Sequence, residues 1–212
     1  SMSKTATLAL PEPITDASAW RGADLQQHPE SWIDPLDESF ITVLSDRIDG
    51  FLASDKPLTA MVRGDVEHPV LMARTRDWCS TLLSGRGFVL ARGLPIHDWD
   101  MRKIAAVWYG LGLLMGAPRS QNAQGHLLGH VRDLGLSTHD PKVRIYQTTE
   151  RQTFHTDSCD AVGLLCLKTA RTGGESAIVS SMQIYNEMYR DSPELLRALF
   201  NSFPTDRRGE IP

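Results

Sequence analysis

The stretch Phe154-His155-Thr156-Asp157 sets an imidazole and a carboxylate two positions apart. On an extended strand successive side chains point to opposite faces, so His155 and Asp157 would share one face and Thr156 the other. A neutral imidazole beside a carboxylate is a half-site for a borderline-hard divalent ion such as Fe(II) or Mn(II). A His-x-Asp pair also occurs on ordinary surfaces and in turns, so its weight comes from its surroundings. Downstream, Thr172-Gly173-Gly174-Glu175 reads as a Gly-Gly turn, and Ser176-Ala177-Ile178-Val179-Ser180 as the strand it opens into, with hydroxyls at both ends.

Other side chains with metal-binding or cofactor-binding potential have plainer readings. His126 and His130 stand at i, i+4, the spacing of zinc-binding helices, and Asp133 could complete a hydrolase set. No Glu follows the first His, however, and the surrounding residues are glycine-rich, which favours a loop. Gly110-x-Gly112-x-x-x-Gly116 brushes the dinucleotide fingerprint but follows a helical pattern rather than a strand, so packing or helix termination explains it better. Cys159, two residues after Asp157, reads as a buried or pocket-lining thiol. Arg119, Gln121, Asn122 and Arg132 read as solvated loop residues.

The elements that must position these groups fall into two regimes. Phe40, Ile41, Leu44, Ile48, Phe51 and Leu52 recur at helical spacing between Asp37 and Ala53. Pro69 to Ser84 is a second expected helix, opened by a proline and stopped by Gly85. A short strand is expected within Gly87–Gly93. A third helix is expected from an Asp98 or Asp100 cap to Met115. The pattern then changes to short strands, roughly Val143–Thr148, Thr153–Asp157, Ala161–Lys168 and Ser176–Ser180. Two more helices follow, one from Ser181 and one with Ser192 as cap and Pro193 at its first position. Helices followed by closely spaced strands imply an α+β architecture with an antiparallel sheet or barrel. The first 35 residues are irregular, but Trp20 and Trp32 imply that this segment wraps back onto a core; Ser1-Met2 reads as a tag remnant.

Taken together, Phe-His-Thr-Asp, the apolar strand through Leu164–Lys168 and Gly-Gly-Glu-Ser resemble the taurine dioxygenase (TauD/TfdA-like) family of Fe(II)- and 2-oxoglutarate-dependent oxygenases. The likeness runs from about Trp20 onward, and its specific part lies between His155 and Ser176. It implies a double-stranded β-helix (jelly-roll) core with the N-terminal helices packed outside. It also implies that His155 and Asp157 are two of three iron ligands in a 2-His-1-carboxylate triad, with 2-oxoglutarate and O2 in the open positions. Ser176 matches the hydroxyl residue that binds the distal carboxylate of 2-oxoglutarate, and Gln147 is a polar contact to co-substrate or substrate. Iron halogenases related to the family carry Gly or Ala in place of the carboxylate. Asp157 therefore implies hydroxylation of a small molecule, with 2-oxoglutarate converted to succinate.

The family pattern also needs a downstream histidine and an arginine pairing with 2-oxoglutarate. No histidine follows Asp157, and Arg171, Arg190, Arg197, Arg207 and Arg208 do not match the arginine's position. The expectation is a single oxygenase-like domain over residues 36–212, its core incomplete and truncated on the C-terminal side. A non-catalytic jelly-roll binding or regulatory protein with a degenerate metal site is the alternative.

Composition sets the outer limits. The chain has 212 residues, with 22 Lys+Arg against 26 Asp+Glu and a net charge of -4, which disfavours a nucleic-acid partner. No apolar run is long enough to span a bilayer, and the N-terminus lacks a signal-peptide layout. Cys79, Cys159 and Cys166 are too few and too irregular for a disulfide framework. These features imply a cytoplasmic globular protein without a membrane partner, with a homo-oligomer left open.

Overall fold

The computed structural model describes residues 8–205 apart from 123, 133, 138, 140, 141 and 143, and leaves out the side chain of Ile145. Internal contacts divide the chain into two compact units. Of the described residues, one comprises Pro35–Cys79 and Ala91–Gly174; the other comprises residues 8–34, Ser80–Leu90 and Glu175–Thr205.

Among the described residues the helices in chain order are α1 (Gly22–Gln27), α2 (Glu38–Ala53), α3 (Arg63–Val66), α4 (Pro69–Ser84), α5 (Met101–Met115), α6 (Ser181–Asp191) and α7 (Pro193–Ala198). Helices α2, α3 and α5 belong to the first of these units, and α1, α6 and α7 to the other. Their starts follow from local chemistry. Asp37 accepts the Phe40 N–H at 2.8 Å at the head of α2, and Asp100 accepts the Lys103 N–H at 2.8 Å at the head of α5. Each carboxylate satisfies one of the N–H groups that a helix start leaves without a partner.

Helix α2 turns Phe40, Leu44, Ile48 and Phe51 inward, the i, i+4, i+8, i+11 face that its sequence periodicity marks. Helix α5 buries Ile104, Ala106, Val107, Tyr109, Gly110, Leu111 and Leu114. At Gly110 neighbouring side chains crowd α5: a methyl there would meet Val66 Cγ1 at 3.0 Å and Ile48 Cδ1 at 3.2 Å. Polar contacts fix the register of the pair. Lys103 Nζ of α5 donates to Ser45 Oγ at 2.7 Å and pairs with Asp49 at 2.8 Å on α2. Arg63 Nη1 donates to the Leu114 carbonyl at 2.9 Å, supplying a partner at the C-terminal end of α5.

The other unit binds the N-terminal segment to α6. The Ile14 N–H donates to Asn186 Oδ1 at 2.8 Å while Asn186 Nδ2 donates to the Ile14 carbonyl at 2.6 Å. Tyr185 Oη donates to the Pro11 carbonyl, Ser180 Oγ to the Ser18 carbonyl, and Arg21 pairs with Glu187. The Gln183 amide, then Arg190 and Arg21, hold the Glu187 carboxyl below its ordinary value. A depressed carboxylate contributes at neutral pH and loses that contribution as pH falls through its lowered value. Trp20 and Trp32 pack on Phe88, with ring centroids 5.2 Å and 5.9 Å away, and Trp20 Nε1 donates to the Arg86 carbonyl. The expected wrapping of the tryptophan-bearing segment is therefore present.

Strands are scarcer than the sequence pattern suggests. Among the described residues, β1 (Ile33–Pro35) and β2 (Leu90–Arg92) pair as one two-stranded sheet. The stretches 153–157, 161–168 and 176–180 adopt no strand, and Ile145–Gln147 is a 3-10 turn. Val143, at the start of that expected strand, lies outside the described residues. Alternation supplies only the faces of a strand; the backbone N–H and C=O groups need a neighbouring strand, and none pairs with these stretches among the described residues. Val162 and Leu164 remain 60% and 73% exposed, as unpaired strand-like sequence would be. The α+β pattern is thus visible here mainly through its helices. No helix among the described residues is long and apolar enough to cross a membrane.

Two glycines on one helix give opposite expectations. Gly112 is exposed with nothing near its Cβ position, so Gly112→Ala should gain about 0.8–1 kcal/mol from helix propensity. Gly110→Ala gains the same propensity but forces a methyl onto fully buried Val66 and Ile48, an overpacking cost of about 1–3 kcal/mol. Urea unfolding midpoints should rise for the first and fall for the second; a matching rise in both would contradict the packing account. Asn186→Ala removes both bonds to Ile14, and amide exchange at Ile14 should speed up by roughly fivefold or more. Unchanged exchange there would show that the clamp holds nothing.

Candidate functional site

His155 and Asp157 are brought together without a strand. His155 Nε2 lies 3.9 Å from Asp157 Oδ1, and the two side chains are 47% and 50% exposed. The imidazole is oriented by its own neighbourhood: Nδ1 lies 2.8 Å from the Thr153 carbonyl. A carbonyl only accepts, so Nδ1 carries the proton and Nε2 of the neutral ring keeps its lone pair. Gln152 Nε2 sits 3.2 Å from His155 Nε2 and donates an amide hydrogen to that lone pair. Both bonds assign the same tautomer.

This arrangement suits a metal ligand. Ligating histidines commonly donate the other ring N–H to a backbone carbonyl or carboxylate, which fixes ring orientation and raises basicity. Two donors at right angles on one ion, with bonds of about 2.1 Å, would stand about 3 Å apart. The observed 3.9 Å is wider by less than an ångström, within reach of a side-chain rotation in this exposed pair. The two residues therefore fit as half of a coordination set. No group of three His, Cys, Asp or Glu side chains converges among the described residues.

The other expected site residues are placed as follows. Gln147 ends the 3-10 turn, and its Oε1 accepts the Arg144 N–H at 2.9 Å while its carbonyl accepts the Leu134 N–H at 2.8 Å. Its side-chain oxygen thus serves the local backbone. Ser176 belongs to the other unit, where it is exposed and irregular; Gly173 and Gly174 before it both have positive φ, 69° and 77°, as a Gly-Gly turn requires. Cys159 is exposed rather than buried. His126 is part of a loop closed by Asn122, whose Oδ1 accepts the His126 N–H at 3.1 Å and whose Nδ2 lies 2.8 Å from the ring. That supports the loop reading over a zinc helix. Asp133 lies outside the described residues.

Sequence reasoning did not reach Gln152 and Thr153. A backbone carbonyl leaves no trace in residue type, and a glutamine three residues before a histidine becomes informative only once the turn is known.

With the geometry set out, comparisons place the chain. It belongs to the taurine catabolism dioxygenase TauD, TfdA family, whose profile matches residues 54–210. It is 29% identical over 204 residues to FR-33289 synthase of Streptomyces rubellomurinus (strain ATCC 31215), covering 96% of this chain and 60% of that protein. It is also 24% identical over 195 residues to the taurine hydroxylase-like protein SAT17 of Stachybotrys chartarum (strain CBS 109288 / IBT 7711), covering 88% of this chain and 50% of that protein. The chain thus spans between half and two thirds of the length of these curated relatives.

Proposed function

We propose that this chain carries part of the active site of an Fe(II)- and 2-oxoglutarate-dependent hydroxylase acting on a small molecule, on a jelly-roll core of the family's kind. The observation that carries this reading is the His155 ring, with Nδ1–H held by the Thr153 carbonyl and unprotonated Nε2, which accepts from the Gln152 amide, 3.9 Å from Asp157 Oδ1. Family membership and the similarity to an enzyme named as a synthase and a protein named as taurine hydroxylase-like support it.

In this reading His155 Nε2 and Asp157 Oδ1 would be two of the metal's ligands. Bound iron would supply the oxidising chemistry, in which 2-oxoglutarate loses CO2 and takes one oxygen atom of O2 to become succinate, while the other oxygen atom enters a substrate C–H bond to give the alcohol. The contribution of this chain is geometric. The Thr153 carbonyl keeps the imidazole in the ligating tautomer, and Asp157 supplies the negative charge that favours a divalent cation over an empty site. Ser176 is assigned to the distal carboxylate of 2-oxoglutarate, following the turn at Gly173-Gly174. Gln147 is assigned to co-substrate or substrate, which requires its carboxamide to leave the Arg144 N–H.

The reading is tested by succinate formation from 2-oxoglutarate with Fe(II), comparing the intact protein with His155→Ala. Turnover should fall to background in the variant; equal turnover in both would overturn the assignment. If neither the protein nor the variant binds metal or turns over, the non-catalytic binding reading replaces it.

Gln152 provides a finer check. Its amide occupies the lone pair that the metal must take, so metal uptake breaks that hydrogen bond. Gln152→Ala should tighten Mn(II) binding by roughly two- to tenfold, the equivalent of one modest hydrogen bond. Weaker Mn(II) binding in this variant would mean that Gln152 assists the ligand rather than competing for it.

A further inference from the structure

The segment 151–174 carries His155 and Asp157 and is exposed almost throughout. The exceptions are Leu165 and Leu167, both half-buried, alternating with exposed Leu164, Cys166 and Lys168. Extending that alternation back by two residues reaches Gly163. A methyl built on Gly163 would lie 2.8 Å from Trp108 Cζ2 and 3.4 Å from Cη2. Real carbon contacts are not that short, so the backbone rests on the edge of the indole in a space only glycine leaves. Trp108 itself is half-buried on α5, between core residues Val107 and Tyr109. The other aromatic ring of this helix, Tyr109, is buried in the core, whereas the Trp108 indole is part-exposed.

From this geometry we propose that Trp108 and Gly163 form the seat that positions the metal-donor segment against α5. Trp108 is a positioning residue. It touches neither metal nor substrate and acts through the backbone six residues beyond Asp157. The seat gives the pair a fixed support, since the bonds that orient His155 reach only to Gln152 and Thr153. This role rests on the metal reading above, because what the seat positions is the pair of donors.

Metal affinity and the indole environment test it together, in Gly163→Ala, Trp108→Leu and the double variant. Mn(II) titration followed by electron paramagnetic resonance should show dissociation constants raised about tenfold in Gly163→Ala, where the added methyl lifts the segment. Trp108→Leu alone should also weaken binding. The double variant should bind no worse than Trp108→Leu alone, because the shorter side chain leaves room for the methyl; multiplying effects would overturn the seat. Without metal, fluorine NMR of protein labelled with 5-fluorotryptophan should show the Trp108 resonance, assigned with Trp108→Phe, shifted by Gly163→Ala. It should be unmoved by Leu164→Ala, whose side chain is 73% exposed. An unshifted resonance in Gly163→Ala, or a shifted one with unchanged Mn(II) affinity, would also overturn the proposal. Failure of the unaltered protein to take up Mn(II) would overturn the metal reading itself, while the fluorine spectrum would still report whether the contact exists.

Discussion

How closely other segments can approach α5 governs the helical unit. At Gly110 the absence of a side chain lets Val66 and Ile48 come within ordinary packing distance of the helix backbone. Because protein interiors are packed as tightly as organic crystals, that approach fixes the separation of α2 and α3 from α5 to within a methyl group. The polar contacts then add direction: Lys103 reaches Ser45 and Asp49, and Arg63 occupies the end of the helix. The result is a packed helix whose half-buried Trp108 ring meets the backbone at Gly163. Rigid scaffolds with functional groups on the connecting chain are a common division of labour in enzymes.

The donor pair illustrates how little chain is needed to prepare a ligand. Tautomer, ring orientation and the nearness of Asp157 all arise within residues 152–157, from two hydrogen bonds and a short contact. Such local preparation does not depend on a completed sheet. Its limit is also visible: both side chains are about half exposed, so the low-dielectric surroundings that strengthen metal–ligand electrostatics are not built by these six residues. In the proposed enzyme, a dry pocket has to come from elements packed around them.

The five helices α2, α4, α5, α6 and α7 were readable almost to the residue because their signals are local, whereas the short α1 and α3 carry no periodic face and were not read. Asp37 and Asp100 announce α2 and α5, Pro69 opens α4, and the 3.6-residue period marks which faces turn inward. Ser180 capping Gln183 at the head of α6 belongs to the same kind of signal. The stretches 153–157, 161–168 and 176–180 were legible only as faces, since alternation says which side chains go together and nothing about which backbone lies alongside. His155 and Asp157 could be singled out by residue type and spacing. That they meet through a bend rather than along a strand could not, because the Thr153 carbonyl that turns the ring has no side-chain signature. Gln147 was marked by residue type alone; that its Oε1 also accepts the Arg144 N–H across its own turn has no signature in the sequence.

The Asn186 clamp on Ile14 joins groups 172 residues apart. A contact of that span gives back nothing until nearly the whole intervening chain has been ordered, since the entropy of closing the loop comes first. On a ribosome, Ile14 emerges long before Asn186 exists, so this clamp cannot form until α6 has been made. Trp20 and Trp32 have an earlier partner in Phe88. The aromatic cluster can therefore gather before the clamp at α6 closes.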